Sequence, residues 1–223
     1  MTDLRAIQRH LGVPADGALG PVTLNAIATA LGIDTTPQRH ALKDPAAFFS
    51  AVRKLTGTLD QVQVDVLNAL LTGAATWPIG WLAYGLATAW HEARLKPQDE
   101  WGKGAGHPYA APGKYGQPQY GRGLVQLTWD RNYEWADKAL GLDGALLADF
   151  GLANRPDIAS RILIAGMESG AFTGKKLSDF IADRGSAGEF VAARRVINGV
   201  DRAGLIAEHA ATFLAALDAG GWA

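Results

Sequence analysis

Hydrophobic positions recur at helical spacing along most of the chain. Leu4, Ile7 and Leu11 predict a first helix over residues 3–12, Asp16-Gly17 marks a turn, and Gly20-Pro21 launches a second helix through Leu24, Ile27 and Leu31. Apolar periodicity then lapses from Ile33 to Lys43, until Asp44-Pro45 supplies an N-cap and a first-turn proline. Beyond that point the spacing predicts helices over about 45–56, 60–72, 78–95, 130–140, 156–171 and 202–217. Ser186 with Glu189 forms a capping box for another helix, running through Val191 and Val196. Between Trp101 and Gly123 the pattern breaks, because seven Gly and three Pro alternate with Tyr109, Tyr115 and Tyr120. Long irregular segments inside compact domains are usually functional. Leu124 to Thr128 is the one stretch that reads as strand. The expected fold is therefore mainly α with a small β element, divided into a helical module over 1–36, a linker over 37–44 and a larger domain over 45–223.

Composition narrows this picture. With 223 residues, 48% hydrophobic and 19% charged, the chain can bury a core, which excludes a disordered protein. A formal charge of −1 offers no long-range attraction for nucleic acid or anionic lipid. The absence of Cys removes disulfides, thiolate metal sites and Cys nucleophiles. Val66 to Trp90 carries no charge, but Asn68, Gly73, Pro78, Gly80 and Gly85 interrupt it, so it reads as two buried helices rather than a membrane insertion. The N-terminus MTDLRAIQRH lacks the apolar core of a signal peptide, so classical secretion is not expected.

Candidate chemistry starts at the end of the helix over 78–95, which is apolar on nearly every side and closes with His91-Glu92. A carboxylate there is partly removed from water, which favours the protonated form that a general acid needs. The alternatives are that Glu92 turns into solvent or pairs with Arg94. Eight residues on, Glu100 precedes the Gly/Pro/Tyr loop; two carboxylates in unlike surroundings are the minimum for glycoside hydrolysis, although Asp99-Glu100 also reads as a solvated charge cluster. Tyr and Trp beside such a pair offer faces that suit sugar rings. A zincin helix would need a second His where Leu95 stands, and no G-x-S-x-G elbow or phosphate-binding glycine motif occurs.

Three ordered blocks then carry a resemblance: His91-Glu92, Tyr120-Gly-Arg-Gly-Leu-Val-Gln-Leu-Thr-Trp-Asp-Arg-Asn-Tyr133, and Ile197-Asn-Gly199. Together they resemble glycoside hydrolase family 19, which holds chitinases and the lysozyme-type endolysins of phages and prophages. The resemblance implies a lysozyme-like helical catalytic domain in which Glu92 is the general acid, Glu100 the base that activates water for inversion, and Thr128 a partner in holding that water. It also implies substrate contacts from Tyr120, Gln126, Asn132, Tyr133 and Asn198. Read by themselves, Gln126 can pair with backbone, Asn132 can support the following helix, and Asn198-Gly199 can be a helix-ending turn. The lack of Cys and the short spacing between Glu92 and Glu100 depart from plant chitinases and resemble the bacterial and phage branch.

At the other end, Asp16-Gly-Ala-Leu-Gly-Pro-Val-Thr23 resembles the small helical peptidoglycan-binding module. That implies a wall-binding role for Asp16, Gly17, Gly20, Pro21 and Thr23, residues that equally form a capped helical hairpin. The combined expectation is an endolysin that cuts β-1,4 bonds between N-acetylmuramic acid and N-acetylglucosamine in bacterial peptidoglycan. It would need no metal or cofactor and act as a monomer. The endolysin resemblance further implies accumulation in the host bacterial cytoplasm and release through a pore made by another protein. The rival readings are a chitinase, a non-catalytic wall-binding protein, and a metallopeptidase or amidase acting on the peptide stem.

Overall fold

A computed structural model describes residues 3–34 and 38–223, and the chain parts into two units, Met1–Gln38 and Arg39–Ala223. The expected boundary between residues 36 and 37 lies outside the described residues. In the smaller unit, α1 (Leu4–His10) is capped by the Asp3 carboxylate and α2 (Pro21–Ala30) starts after Gly20 as N-cap. Of Pro21 only the backbone is described. One side chain ties this hairpin together. The buried Gln8 donates from Nε2 to Asp16 Oδ1 (2.7 Å), the Ala18 carbonyl (2.9 Å) and Thr23 Oγ1 (2.9 Å), and its Oε1 accepts from the Gly17 N–H (2.8 Å). The turn needs Gly17 at φ +80°, a left-handed conformation that costs glycine little. Gln8 and Thr23 are the only fully buried side chains among the described residues of this unit, while Leu19, Val22, Leu24, Leu31 and Ile33 stay exposed. The hairpin is thus held by polar bonds instead of an apolar core, and Asp16, Gly17 and Thr23 serve that closure. The Ala18 N–H and the Gln8 amide hold the Asp16 carboxyl below its ordinary range.

The larger unit contains α3 (Pro45–Thr56), α4 (Gln61–Gly73), α5 (Ile79–Ala93), α6 (Asp130–Leu140), α7 (Ala145–Ala148), α8 (Pro156–Ser169), α9 (Ala187–Ala193) and α10 (Ala203–Ala219). Start signals legible in the sequence are made as hydrogen bonds: Asp44 caps α3, and Ser186 with Glu189 closes a capping box on α9. Asp60 with Gln63 does the same on α4. The uncharged run becomes α4 and α5, with α5 buried continuously from Leu82 to Ala89. Helix α10 lies along α5, α3 and α9, and α8 packs on α4. Phe48, Leu67, Leu86, Phe190 and Phe213 fill the main core, where each buried side chain contributes roughly 1.5–3 kcal/mol. A second cluster of Leu127, Tyr133, Phe150 and Ile162 lies under the irregular loop. Among the described residues no helix is long and apolar enough to cross a membrane.

Two local expectations need correction. Leu124–Thr128 is no strand: Arg122 and Leu127 exchange N–H···O bonds of 3.2 and 2.9 Å around a closed turn, with Gly123 at φ +83° and Gln126 at φ +53°. Leu124 and Leu127 are both buried, so an apolar stretch here fills the core from a turn. Among the described residues the β structure amounts to this bridge and one between Pro112 and Pro118. Helix α9 stops at Ala193 and continues as a single 3-10 turn, Arg194–Val196, which re-aims Arg194.

Candidate active site

Helix α5 ends at Ala93 because Arg94 and Leu95 turn left-handed, at φ 52° and 59°. Its last turn leaves the Glu92 side chain 25% exposed, and Oε1 accepts a 2.5 Å hydrogen bond from Arg194 Nη1. Arg194 is buried, and its Nε donates to the Asp201 carbonyl at 3.0 Å. The partner of Glu92 is therefore Arg194. Arg94 instead lies over the Trp90 ring, 4.7 Å from its centroid. Nothing in local sequence links Glu92 to a residue 102 positions away. Burial first, then the Arg194, Arg202 and Arg94 charges, hold the His91 imidazole below its ordinary range against the opposing pull of Glu92. Among the described residues no group of three or more His, Asp or Glu side chains could hold a metal ion.

Glu100, half-buried, is held by hydrogen bonds at both its backbone and its carboxylate. Its N–H donates to the Gly121 carbonyl (2.7 Å), and its carboxylate accepts from the Gly121 N–H (3.1 Å) and the Tyr109 hydroxyl (3.0 Å). The Tyr109 ring stacks on His107 and meets Trp129 edge-on. Its neighbour Asp99 is spent otherwise, accepting from Asn154 Nδ2 (2.6 Å) and Tyr120 Oη (3.1 Å) with Arg122 Nε at 3.6 Å. Two adjacent carboxylates thus take different roles: Asp99 anchors the loop, and Glu100 is presented beside Gly121.

Gly121 joins Glu100 to the next wall. A methyl built on it would sit 2.8 Å from Gln126 Oε1 and 3.3 Å from Thr128 Oγ1. Thr128 donates its hydroxyl hydrogen to the Gln126 carbonyl at 2.7 Å, which leaves its oxygen lone pairs to accept from a water molecule. Gln126, Thr128 and Asn132 line a cavity of about 240 Å³ with Trp135, Phe172 and Ile197. The Ile197 N–H donates to the Arg194 carbonyl at 3.1 Å. Glu100 is bonded to Gly121, which packs close to Gln126 and Thr128, and Glu92 to Arg194, whose carbonyl accepts from Ile197. Thr173 holds the Ile197 side by donating to the Arg195 carbonyl at 2.6 Å.

The remaining expected contacts divide. Gln126 Nε2 donates to the Gln98 and Gly123 carbonyls at 3.3 and 3.4 Å, and Asn132 Nδ2 to the Thr128 carbonyl at 2.7 Å, so both brace the turn while facing the cavity. Asn198 is exposed beside Ile197. Tyr133 is corrected: it is 0% exposed, stacked at 3.8 Å on Phe150, with its hydroxyl accepting from Arg122 and donating to the Tyr120 carbonyl. Tyr120 is corrected likewise, being buried under the Arg122 guanidinium, which sits 3.7 Å from its ring. Both tyrosines position the loop and do not face a groove. Arg194, Arg122, Tyr109 and Asp99 escaped sequence reasoning as site residues; Arg122 and Tyr109 lay within motifs already singled out, whereas Arg194 had no local signal.

The Gly121 geometry leads to an expected result. Gly121→Ala pushes aside the end of the Gln126 side chain and crowds Gln126 Cβ (3.1 Å) and Thr128 Oγ1 (3.3 Å) by a few tenths of an ångström, so the melting temperature should fall by about 3 °C, the effect of about 1 kcal/mol. Turnover should fall roughly 10- to 100-fold, because displacing positioned groups by about 1 Å costs that much. Thermal denaturation and initial rates on the same preparation check both.

No protein-family model and no curated protein matches the chain. The structure is similar to the crystal structure of chitinase C from Streptomyces griseus HUT6037, with 23% sequence identity and a TM-score of 0.45 over 83% of this chain and 72% of that one. The assignment of chemistry rests on the site itself.

Proposed function

We propose that this chain is an inverting glycoside hydrolase of N-acetylated glycans, with Glu92 as acid and Glu100 as base. The observation that carries the reading is the unlike support of the two carboxylates: a buried guanidinium at Glu92, and a backbone N–H with a tyrosine hydroxyl at Glu100, while Thr128 and Ile197 line one cavity. Glu92 gives its proton to the glycosidic oxygen as the bond to the anomeric carbon breaks. Glu100 takes a proton from water, which attacks that carbon from the other face, and Thr128 Oγ1 accepts the second hydrogen of that water. Inverting sites need space for water between the carboxyl groups, and in this reading that water sits at Thr128.

The substrate we propose is peptidoglycan, with the N-terminal hairpin holding the chain on the wall and raising the local concentration of its glycan. Charge supports this choice. Arg195 and Arg202, exposed like Asn198 and within four residues of it in the chain, bring positive charge there, and Arg202 pairs only loosely with Asp201, at 3.9 Å. Peptidoglycan carries anionic peptide stems, whereas chitin is neutral. Hydrolysis of purified walls should therefore fall several-fold as salt rises from about 0.01 to 1 M and the screening length shrinks from roughly 30 to 3 Å. Arg195→Gln/Arg202→Gln should lower the low-salt rate and flatten that dependence. Mass spectrometry of the digest decides the bond: new reducing ends of inverted anomeric configuration support the reading, and new free amines would replace it with peptide-stem cleavage. Reducing ends from chitin with none from murein would make the protein a chitinase.

A further inference from the structure

Helix α5 carries Tyr84, Thr88 and Glu92 at four-residue intervals, which places them on one face. Helix α9 and its 3-10 extension carry Phe190 and Arg194, also four apart. The two faces meet at both ends: the Tyr84 ring stacks on Phe190 with centroids 6.2 Å apart, and Glu92 bonds Arg194 at 2.5 Å. Thr88 lies between those contacts along α5. Tyr84 and Thr88 are wholly buried, and their hydroxyls lie beside one another with no further hydrogen-bond partner among the described residues. A buried hydroxyl pair with no partner beyond itself leaves acceptor capacity unmet, which costs up to roughly 1–3 kcal/mol per group and calls for a reason. Burial pushes the Tyr84 hydroxyl far up its titration range, opposed by the Arg194 charge and then by the Thr88 hydroxyl, with Glu92 adding a smaller push upward.

The chemistry of the acid supplies the reason, and the argument here rests on Glu92 acting as proposed above. To donate a proton Glu92 must first hold one, and it is then neutral. A guanidinium is a permanent cation, and Arg194, which is buried, at that moment loses its anionic partner and keeps the Asp201 carbonyl on Nε. A buried guanidinium needs other acceptors. We propose that the hydroxyls of Tyr84 and Thr88 are where the Arg194 guanidinium rests while Glu92 is protonated, which makes both positioning residues for the acid. When Glu92 releases its proton to the leaving oxygen, the guanidinium returns to the new carboxylate and stabilises charge where it develops.

The structure of the Glu92→Gln variant tests this without any turnover, because the amide is neutral and matches the protonated acid in shape. An Arg194 Nη atom within hydrogen-bond distance of Tyr84 Oη or Thr88 Oγ1 is the expected result. A guanidinium still seated on the introduced amide, with the two hydroxyls having no partner beyond each other, overturns the proposal. The enzymatic reading fails by a separate sign, the absence of reducing ends from both murein and chitin with the unaltered protein. Kinetics give a second measurement. Tyr84→Phe keeps the ring on Phe190, and combined with Thr88→Val it removes both acceptors. We expect kcat to fall about 10-fold with KM within about twofold, and the alkaline limb of the kcat profile to move to lower pH, since the protonated acid has lost its support. A merely structural role would leave that limb in place, and an unmoved limb overturns the proposal as well.

Discussion

Glu92→Gln is expected to abolish release of reducing ends from bacterial walls, by roughly 10²- to 10⁴-fold, which is what a positioned acid contributes. The amide keeps the size of the carboxylate, and Arg194 keeps the Asp201 carbonyl on Nε. The stability loss should stay near 1–3 kcal/mol, the cost of weakening one buried polar contact. Circular dichroism and thermal melting establish that the fold survives, and single-turnover assays measure the rate. Retention of more than a tenth of the activity in a folded variant would remove Glu92 from the chemistry. Glu100→Gln should also lower the rate steeply, but through the attacking water. A small external nucleophile such as azide, which needs no base, should restore part of the Glu100→Gln activity and none of that lost in Glu92→Gln.

Arg122→Met should produce the largest loss of stability among the loop residues. The Arg122 side chain is 6% exposed; its Nη1 donates to the Pro118 and Tyr120 carbonyls (both 3.0 Å) and to Tyr133 Oη (2.9 Å), and its plane covers the Tyr120 ring. Asp99, one residue before Glu100, faces the same guanidinium at 3.6 Å. Methionine preserves the apolar length but takes the guanidinium away from the Pro118 and Tyr120 carbonyls, Tyr133 Oη and Asp99; the Tyr120 carbonyl keeps Tyr133, and Asp99 keeps Asn154 and Tyr120. Breaking a buried charged contact from one side costs about 3–5 kcal/mol. In a protein of this size that lowers the melting temperature by roughly 6–20 °C. The irregular loop should lose hydrogen-exchange protection before the helices do, and wall hydrolysis should fall with it because Glu100 is presented by that loop. A melting temperature within about 2 °C of the unaltered protein would show that the loop is held by something else.

Helices were legible because each is a local object. The periodicity of α3, α4, α6 and α8 and the caps at Asp44 and Ser186 are read within one or two turns, and each forms as expected. The one stretch read as strand failed for a physical reason: a short apolar run looks alike whether it pairs with a strand or fills a core from a turn. Here Gly123 and Gln126, both left-handed, fold Leu124 and Leu127 inward. Tyr133 and Tyr120 misled in a similar way, since a polar aromatic at a groove position and one locked beneath an arginine have the same letter. In the hairpin, Gln8 was invisible as a tether because an amide on a helix carries no sign of what it will bond 8 to 15 residues away.

Sequence alone determined the helical class, the start signals of the main helices, the apolar rod that ends in Glu92, and the presence of a second carboxylate before a loop rich in glycine and aromatics. Those are short-range properties of spacing and residue type. Only the tertiary structure decided that Glu92 meets Arg194, that Asp99 bonds Asn154 and Tyr120 while Glu100 is held by Gly121 and Tyr109, that Gly121 lies close against Gln126 and Thr128, and that the Tyr84 and Thr88 hydroxyls lie side by side on the face of the helix that carries the acid. Each of these depends on which buried polar groups find one another when distant segments pack, and that pairing is settled by the whole fold at once.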